Sequence, residues 1–213
     1  MTAAEPSPER SEPSRSVEIE LKFDADDETP LPDLSRLPGV ASVGAAEGRE
    51  LDARYFDTAE YALASAGYAL RRRSGGPDAG WHVKGPRIGA GRTELGWPLG
   101  EAADEEVPLG VRAAIATVTD ADLRPIARIL NTRTAYALLS ADGALVAEFV
   151  DDLVTATDVR TGAVRSWREW EIELGPAASA DPRAFFTVVE AAVLAAGGRP
   201  AASTSKLARA LGY

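Results

Sequence analysis

The strongest constraint on the fold is a segment whose charges recur at every second residue. Residues 18–22 read EIELK, so charged and apolar side chains alternate. Successive side chains of a β-strand point to opposite faces of the sheet, so this period of two predicts a strand with one charged and one apolar face. The pattern recurs in residues 169–174, which read EWEIEL, and with basic residues at Arg71 and Arg73. Several such strands together predict a shared charged interior.

Alternating charge is also the ordinary signature of a half-exposed antiparallel strand, and that alternative holds for any one strand taken alone. The joint pattern favours a barrel with a wet, charged lumen and helices covering its apolar outside, because closure removes exposed edges. The acidic candidates for this lumen are Glu18, Glu20, Glu94, Glu148, Asp152, Glu169, Glu171 and Glu173. The basic candidates on strands are Lys22, Arg54, Arg71, Arg73, Lys84, Arg92 and Arg133. An interior with both kinds of charge suits a metal-bound polyanion.

The composition argues against several classes of protein. The 213-residue chain has no Cys and one His, so it offers no disulfide, no thiolate chemistry and no His-rich metal site. The net charge of −10 argues against a general nucleic-acid surface, which is usually basic. No apolar run reaches the roughly 18 residues of a membrane span, and residues 1–16 lack the apolar core of a signal peptide. We therefore expect a cytoplasmic protein without a nucleic-acid or membrane partner.

The chain is predicted to consist of a disordered tail, residues 1–16, and one domain, residues 17–211. The tail is rich in Pro, Ser and Glu, which favours disorder. Tight-turn signals between short strands predict antiparallel pairing. Strands are predicted at residues 17–23, 51–57, 68–73, 80–85, 92–99, 126–139, 144–151, 154–160 and 166–174. Helices are predicted at residues 32–37, 59–66, 108–118, 181–196 and 204–211.

A series of short motifs resembles the CYTH family, the triphosphate tunnel metalloenzymes. Residues 18–22 match the family's ExExK signature, a pentapeptide that is common by chance. Its company makes it specific, because the order and spacing of the other motifs agree from residue 17 to about residue 211. Those motifs are residues 55–58 (YFDT), 67–73 (GYALRRR), 81–85 (WHVKG), 92–94 (RTE), Arg133, 148–152 (EFVDD), 171–173 (EIE) and 205–206 (SK).

The resemblance implies an α+β, mainly antiparallel fold: an eight-stranded closed β-barrel, the triphosphate tunnel, with helices packed outside. It also implies metal-dependent hydrolysis of a triphosphate, with inorganic triphosphate as the first choice of substrate and Mg²⁺ or Mn²⁺ as cofactor. One alternative is a non-catalytic module that binds polyphosphate or nucleotides. An adenylyl cyclase and a thiamine triphosphatase are further alternatives within the family.

The resemblance assigns roles to individual residues. Arg and Lys pair with phosphate oxygens, and hard divalent cations take carboxylate ligands. The residues expected at the reaction centre are Glu18, Glu20 and Lys22. The residues expected to bind the substrate are Lys22, Arg54, Arg71, Arg73, Lys84, Arg92, Arg133 and Lys206. The residues expected to bind metal are Glu18, Glu20, Glu148, Asp152, Glu171 and Glu173.

Other residues of these motifs have simpler expected roles. Asp57 and Thr58 are expected to cap the following helix. Glu169 is expected to be a solvated charge near the tunnel rim. His82 falls on the charged face by alternation, but no family role can be assigned to it.

Two positions depart from the family pattern. The family's RxExE continues here as RTELG, so Gly96 stands where a second carboxylate is expected. Asn131 stands two residues before Arg133, where some members carry a basic residue. These changes leave open a protein that binds polyphosphate chains but hydrolyses them poorly. Residues 203–211 resemble the junction at which a CYTH domain precedes a CHAD domain, a helical polyphosphate-binding module, so a CHAD domain in a longer parent chain is an expected partner.

Overall fold

The computed structural model describes residues 12–100, 106–178 and 181–213, and these residues form ten strands and four helices. The strands are β1 (Ser14–Ala25), β2 (Ser42–Val43), β3 (Glu47–Asp57), β4 (Ala69–Ser74), β5 (Gly80–Ile88), β6 (Gly91–Pro98), β7 (Arg124–Leu139), β8 (Leu145–Asp158), β9 (Val164–Leu174) and β10 (Arg199–Pro200). The helices are α1 (Ala62–Ser65), α2 (Leu109–Ile115), α3 (Pro182–Ala196) and α4 (Lys206–Leu211). None of these helices combines the length and apolarity that a bilayer crossing requires.

The eight long strands form a closed antiparallel β-barrel. Their hydrogen-bonded order is β1-β6-β5-β4-β3-β7-β8-β9, and β9 pairs back to β1. The two short strands are additions, because β2 pairs with β7 and β10 pairs with β1. This topology confirms the eight-stranded closed barrel that the sequence predicts. Closure leaves the long strands without an unpaired edge.

Two predictions of local structure are wrong, one of a break between strands and one of a helix. The strands predicted at 144–151 and 154–160 form one strand, β8, because Asp152 is an inward-facing strand residue and not a strand end. Residues 32–34 are irregular and residues 35–36 form a turn, so this segment is not a helix. Pro38 disfavours helical backbone at Leu37, because proline restricts the residue before it. Of the predicted tail, residues 1–11 lie outside the described residues, and β1 includes residues 14–16.

The chain divides into two compact units. The first unit comprises the described parts of residues 1–18, 52–128 and 157–163. Its core packs apolar residues of strands β3 to β6 against helix α2, which contributes Val111 and Ile115. The buried members of this core are Phe56, Leu63, Leu70, Trp81, Val83, Trp97, Val107, Val111 and Ile115.

The second unit comprises residues 19–51, 129–156 and the described part of 164–213. Its core packs the apolar faces of β1, β7, β8 and β9 against α3, which contributes Phe185, Val189 and Val193 at helical spacing. Asp181 caps the helix by accepting hydrogen bonds from the next two free N–H groups, and Gly197 ends it at φ 98°, a left-handed conformation that suits glycine. The helices predicted at residues 108–118 and 181–196 correspond to α2 and α3, and each covers an apolar sheet face.

The α3 contact yields a stability prediction. Phe185 is 1% exposed, whereas Leu194 on the same helix is 56% exposed. We expect Phe185→Ala to lower the free energy of unfolding by about 3–5 kcal/mol, because it removes buried apolar area and leaves a cavity. Urea unfolding should show a far smaller effect for the control variant Leu194→Ala. Equal losses in the two variants would contradict the packing described here.

Candidate functional site

Strand register places charged residues on one face and apolar residues on the other. In the second unit Lys22 pairs with Glu171, and Leu21 pairs with Ile172. Directly paired residues of antiparallel strands point to the same side, so the two charged side chains share one face. The apolar face is the one that packs into the core, as Ile172 does with no exposed surface. The core thus lies on the side opposite the charges.

Seven charged residues of the second unit form a contact network that we call the β9 cluster. Its centre is the ammonium group of Lys206, the first residue of helix α4. Lys206 Nζ lies 2.8 Å from Asp152 Oδ2, 2.7 Å from Glu171 Oε1 and 2.5 Å from Glu169 Oε1. The members of the β9 cluster are Glu20, Lys22, Arg133, Asp152, Glu169, Glu171 and Lys206.

Arg133 and Lys22 complete the β9 cluster. The Arg133 guanidinium donates two hydrogen bonds to Asp152, at 2.8 and 2.7 Å, and a third at 3.1 Å to Glu171. Lys22 donates to Glu20 at 2.9 Å and also to Glu171. The Asp152 side chain has no exposed surface, and those of Lys22 and Arg133 are 16% and 14% exposed. Lys22, Arg133 and Lys206 are the basic residues of this cluster that are predicted to bind phosphate.

Proton affinities in the β9 cluster follow from burial and mutual pairing. Burial alone would raise the pKa of Glu171, but Lys206, Lys22 and Arg133 hold that pKa well below its usual range. Burial raises the pKa of Glu169, and the nearby Glu171 carboxylate raises it further. Burial alone would lower the pKa of Lys206, but its three carboxylate partners raise it. Lys206 is therefore an ammonium ion at every physiological pH.

Three oxygen donors of the β9 cluster meet the first requirement of a divalent cation site. Carboxylate oxygens of Asp152, Glu169 and Glu171 lie within 4.8 Å of one another. Carboxylates are the protein ligands that Mg²⁺ and Mn²⁺ prefer, so the donor set fits either ion. The same oxygens contact Lys206, so a bound cation would either share these oxygens with the Lys206 ammonium or displace it.

A second network, which we call the β5 cluster, lies in the first unit. The register pairs Arg71 with His82 and Lys84 with Glu94, so these side chains share one face. Lys84 Nζ lies 2.6 Å from Glu18 and 3.2 Å from Glu94. The members of the β5 cluster are Glu18, Arg71, Arg73, Asp78, His82, Lys84 and Glu94.

Polar atoms of the β5 cluster are incompletely paired. Arg71 donates to Glu94 at 3.4 Å, while its buried Nε has no hydrogen-bond partner among the described residues. His82 is 7% exposed and contacts Glu94 through Nδ1. Burial and the nearby cations Arg71 and Arg73 lower the pKa of His82, although the Glu94 carboxylate acts to raise it. An orphaned buried donor is costly, so Arg71 Nε is a position at which an anionic ligand would be stabilising.

The two carboxyl groups of the β5 cluster have opposite proton affinities. Burial and the neighbouring Glu94 together raise the pKa of Glu18 to about 8, although Lys84 acts to lower it. The Glu94 carboxyl is also disfavoured by burial, but His82, Glu18 and Lys84 hold its pKa well below the usual range. The pair therefore keeps one proton near neutral pH, on Glu18.

Several predicted site residues lie elsewhere. Arg54 pairs with Arg72, and Tyr55 pairs with Arg71, so the structure does not bring Arg54 to the face that carries Arg71. Arg92 donates to the backbone carbonyls of Gly85 and Gly67 at 2.6 and 3.2 Å, which ties a turn.

Two of the predicted metal ligands also lie apart from the three grouped oxygens. Glu148 lies on strand β8, four residues before Asp152, and pairs with Arg49 at 2.9 Å. Glu173 is exposed at the end of β9. Glu169, expected at the rim, is 4% exposed and belongs to the β9 cluster. The alternating sequence EWEIEL gives Glu169 and Glu173 the same pattern, and only their burial in the structure distinguishes them.

The two unusual positions have structural settings. A Cβ atom on Gly96 would lie 2.7 Å from Ser14 Oγ, so the start of β1 fills the space beside it. Asn131 is 6% exposed, and its Oδ1 has no hydrogen-bond partner among the described residues. Asp57 accepts hydrogen bonds from Thr58, Leu63 and Ala64 N–H groups, in keeping with the predicted capping role.

Comparison with known proteins identifies the class. The model of the CYTH domain matches residues 16–208, and the chain belongs to this family. It is a triphosphate-tunnel protein, and members of the family act as metal-dependent triphosphatases or as cyclases.

Two relatives match nearly the whole of this chain. Two uncharacterized proteins of Mycobacterium tuberculosis, Rv2226 of strain H37Rv and MT2285 of strain CDC 1551, are each 37% identical over 96% of this chain. The chain covers 42% of the length of each.

Solved structures share the fold at low identity. The Bacillus halodurans protein bh2851 has a TM-score of 0.59 and 17% identity, covering 92% of this chain and 97% of its own. HpAC1 from Hippeastrum has a TM-score of 0.53 and 20% identity, covering 91% and 95%. PH1819 from Pyrococcus horikoshii has a TM-score of 0.51 and 16% identity, also covering 91% and 95%.

Two arginines on β7 provide a test of the buried network. Arg133 and Arg128 both form two-pronged pairs with an aspartate, but Asp152 is fully buried while the Arg128 side chain is 48% exposed. We expect Arg133→Met to cost about 3–5 kcal/mol of unfolding free energy, because it leaves a buried carboxylate undercompensated. Arg128→Met should cost less than about 1 kcal/mol in the same urea titration. A cost for Arg133→Met as small as that of the control would argue against the network.

The raised pKa of Glu18 predicts a pH dependence of stability. The folded protein holds a proton up to pH about 8 that the unfolded chain releases near its ordinary pKa of 4.5. This contribution is complete below pH 4.5 and is lost as the pH rises through 8, by at most about 1.4 kcal/mol per pH unit. The unfolding free energy of wild type should therefore fall relative to Glu18→Gln between pH 5 and 8. The control Glu50→Gln, at an exposed position, should keep the wild-type slope, and a constant difference between wild type and Glu18→Gln would refute the assignment.

Proposed function

We propose that this chain is a metal-dependent triphosphate hydrolase whose substrate is inorganic triphosphate. The observation that carries the proposal is the β9 cluster, in which three cations and at least three carboxylates contact one another on one sheet face. Basic side chains bind phosphate oxygens, and carboxylates bind divalent cations. HpAC1, which shares the fold, is described as having a dominant triphosphatase activity.

The pairing in the β9 cluster implies that metal and triphosphate bind together. Lys206 and Arg133 are engaged by Asp152 and Glu171. A polyanion that recruits these cations would leave the carboxylates buried without compensation, which is costly. A divalent cation arriving with the phosphates would compensate them, so removal of metal should weaken triphosphate binding.

The residues then have distinct roles. Lys22, Arg133 and Lys206 orient the phosphate chain and stabilise the charge that develops on it, which is the main task of proteins in phosphoryl transfer. Asp152, Glu169 and Glu171 would hold Mg²⁺ or Mn²⁺, and the ion supplies charge neutralisation and a more acidic bound water. Glu20 accepts a hydrogen bond of 2.9 Å from Lys22 and thereby holds the Lys22 ammonium in place.

Residues of the β5 cluster are proposed to contribute further phosphate contacts. Arg71, Arg73 and Lys84 are the basic members, and each has a carboxylate beside it. Glu18 would ligate metal only after it loses the proton that burial favours. Glu148 and Glu173 would ligate the metal only as additional ligands, because neither belongs to the group of oxygens from Asp152, Glu169 and Glu171 that lie within 4.8 Å of one another.

A non-catalytic polyphosphate-binding module is the second candidate. Gly96 lacks the second carboxylate of the family motif, and Ser14 fills the neighbouring space. Lys206 already sits among the carboxylates that a metal would need. Because the Mycobacterium relatives are more than twice as long as this chain, we also propose that it works beside a CHAD domain in a longer protein.

The two candidates are separated by phosphate release. We expect release of orthophosphate from inorganic triphosphate with Mg²⁺ or Mn²⁺, less from ATP, and none with chelator. Tight triphosphate binding in calorimetry without turnover would favour the binding module. Cyclic AMP and pyrophosphate from ATP would instead identify a cyclase.

Matched variants test the assignment of the site. Glu171→Gln should lower turnover of triphosphate by about two orders of magnitude, because it removes a charge from the proposed metal position. Glu190→Gln, exposed on helix α3, makes the same chemical change away from the site and should keep wild-type turnover. Full activity of Glu171→Gln would remove the β9 cluster from the mechanism.

A further inference from the structure

The turn between β4 and β5 carries a carboxylate to a buried arginine. Arg73 is the last arginine of β4, and its guanidinium pairs with Asp78 of the turn. The Arg73 side chain is 7% exposed, whereas that of Asp78 is 52% exposed. The turn begins with Gly75 and Gly76, both at positive φ (77° and 75°), which lets the chain reverse sharply enough to bring Asp78 back over the strand.

His82, on strand β5, contacts the backbone of this turn. Its Nε2 lies 2.9 Å from the backbone carbonyl oxygen of Asp78. A carbonyl oxygen only accepts hydrogen bonds, so Nε2 carries a proton and donates it. The ring itself is held between β4 and β6, where it pairs in register with Arg71 and contacts Glu94. The backbone at Asp78 thus has a contact to a buried side chain that does not involve the Asp78 carboxylate.

We propose that Asp78 is a built-in competitor of the substrate, its carboxylate occupying the Arg73 guanidinium that would otherwise bind a phosphate group. The inference rests on the proposed triphosphate site and adds to it a residue that sets affinity. Arg73 belongs to the predicted phosphate-binding set, and its acidic partner Asp78 lies in a half-exposed turn, whereas those of Lys84 and Arg133 lie on strands.

The exposure of Asp78 makes the competition reversible. A half-exposed carboxylate regains most of its hydration when it leaves a partner, so pairs of this kind contribute little stability. A phosphate group carries more charge and offers several oxygens to the planar fork of the guanidinium. Triphosphate would therefore displace Asp78, whereas weaker monovalent anions would not. The strand carboxylates lack this freedom, because Glu94 is 8% exposed and Asp152 has no exposed surface.

Affinity of an Asp78 variant tests the proposal. The ligand is a methylene-bridged triphosphate analogue that cannot be hydrolysed, titrated by calorimetry in the presence of Mg²⁺. We expect Asp78→Ala to bind it about tenfold more tightly than wild type, the gain from removing one competing charge-assisted hydrogen bond. Asp78→Asn, which keeps the shape but not the charge, should fall between them.

Asp142→Ala is the matched control. Asp142 lies in the tight turn between β7 and β8, is exposed and hydrogen-bonds Ser140, so its loss changes the net charge equally. Its affinity for the analogue should stay within twofold of wild type. Binding by Asp78→Ala that is no tighter than binding by Asp142→Ala would overturn the proposal.

The fold of the turn is checked separately. His82 is the chain's single histidine, so its ring gives one set of nitrogen signals in NMR spectra. These signals should persist in Asp78→Ala, because the contact is with a backbone carbonyl that the substitution retains. Phosphate release is not part of the comparison, so failure of the protein to hydrolyse triphosphate would refute the hydrolase without touching this result. Conversely, unchanged affinity in an active enzyme would refute the role of Asp78 alone.

Discussion

Compensation of buried charge is the constraint on which the rest of the structure depends. Asp152 has no exposed surface, yet its carboxylate stays ionised because Arg133 and Lys206 lie 2.7 and 2.8 Å away. A buried charge without such partners would cost several kcal/mol, so the three residues are stable only as a set. They come from β7, β8 and α4, which the chain must bring together for any one of them to be tolerated. The C-terminal helix α4 is consequently part of the charged face and not an appendage, since its first residue is Lys206.

The charged faces in turn determine where the hydrophobic cores lie. Because strands alternate, inward charges at positions such as Lys22 and Glu171 force Leu21 and Ile172 to the other side of the sheet. That side cannot face water, so α3 covers it in the second unit and α2 covers the corresponding face in the first. The ordinary arrangement of a small antiparallel protein is thereby inverted, with helices serving as the apolar cover and the sheet supplying the polar surface.

Much of this was predictable, because period-two alternation is a local signal. The long strands and the covering helices lie close to their predicted positions, and the closed barrel is confirmed. The predictions that failed concern properties set by strand pairing and burial, which the sequence of a single strand does not contain. Arg54 shows alternation as clearly as Arg71, and only its pairing with Arg72 reveals that it lies on the opposite face. Glu169 and Glu173 flank Glu171 symmetrically in the sequence, and their different exposure comes from where β9 ends. Asp152 falls in a predicted break between strands, whereas Asp151 and Asp152 each have a guanidinium partner within one continuous strand.

The distribution of protons points to a difference between the two clusters. In the β9 cluster the carboxylates have three cations at close range, and Glu171 is ionised at any physiological pH. In the β5 cluster Glu18 and Glu94 share Lys84, and burial leaves one proton on Glu18. A divalent cation binds ionised oxygens more readily than protonated ones, so it would release a proton at Glu18 but not at Glu171. The ExExK segment therefore separates two kinds of carboxylate within three residues: Glu18, whose charge depends on what binds beside it, and Glu20, which is paired with Lys22 already. The proposed metal position accordingly belongs with the oxygens of Asp152, Glu169 and Glu171, where the carboxylates of Asp152 and Glu171 are ionised before any ligand arrives.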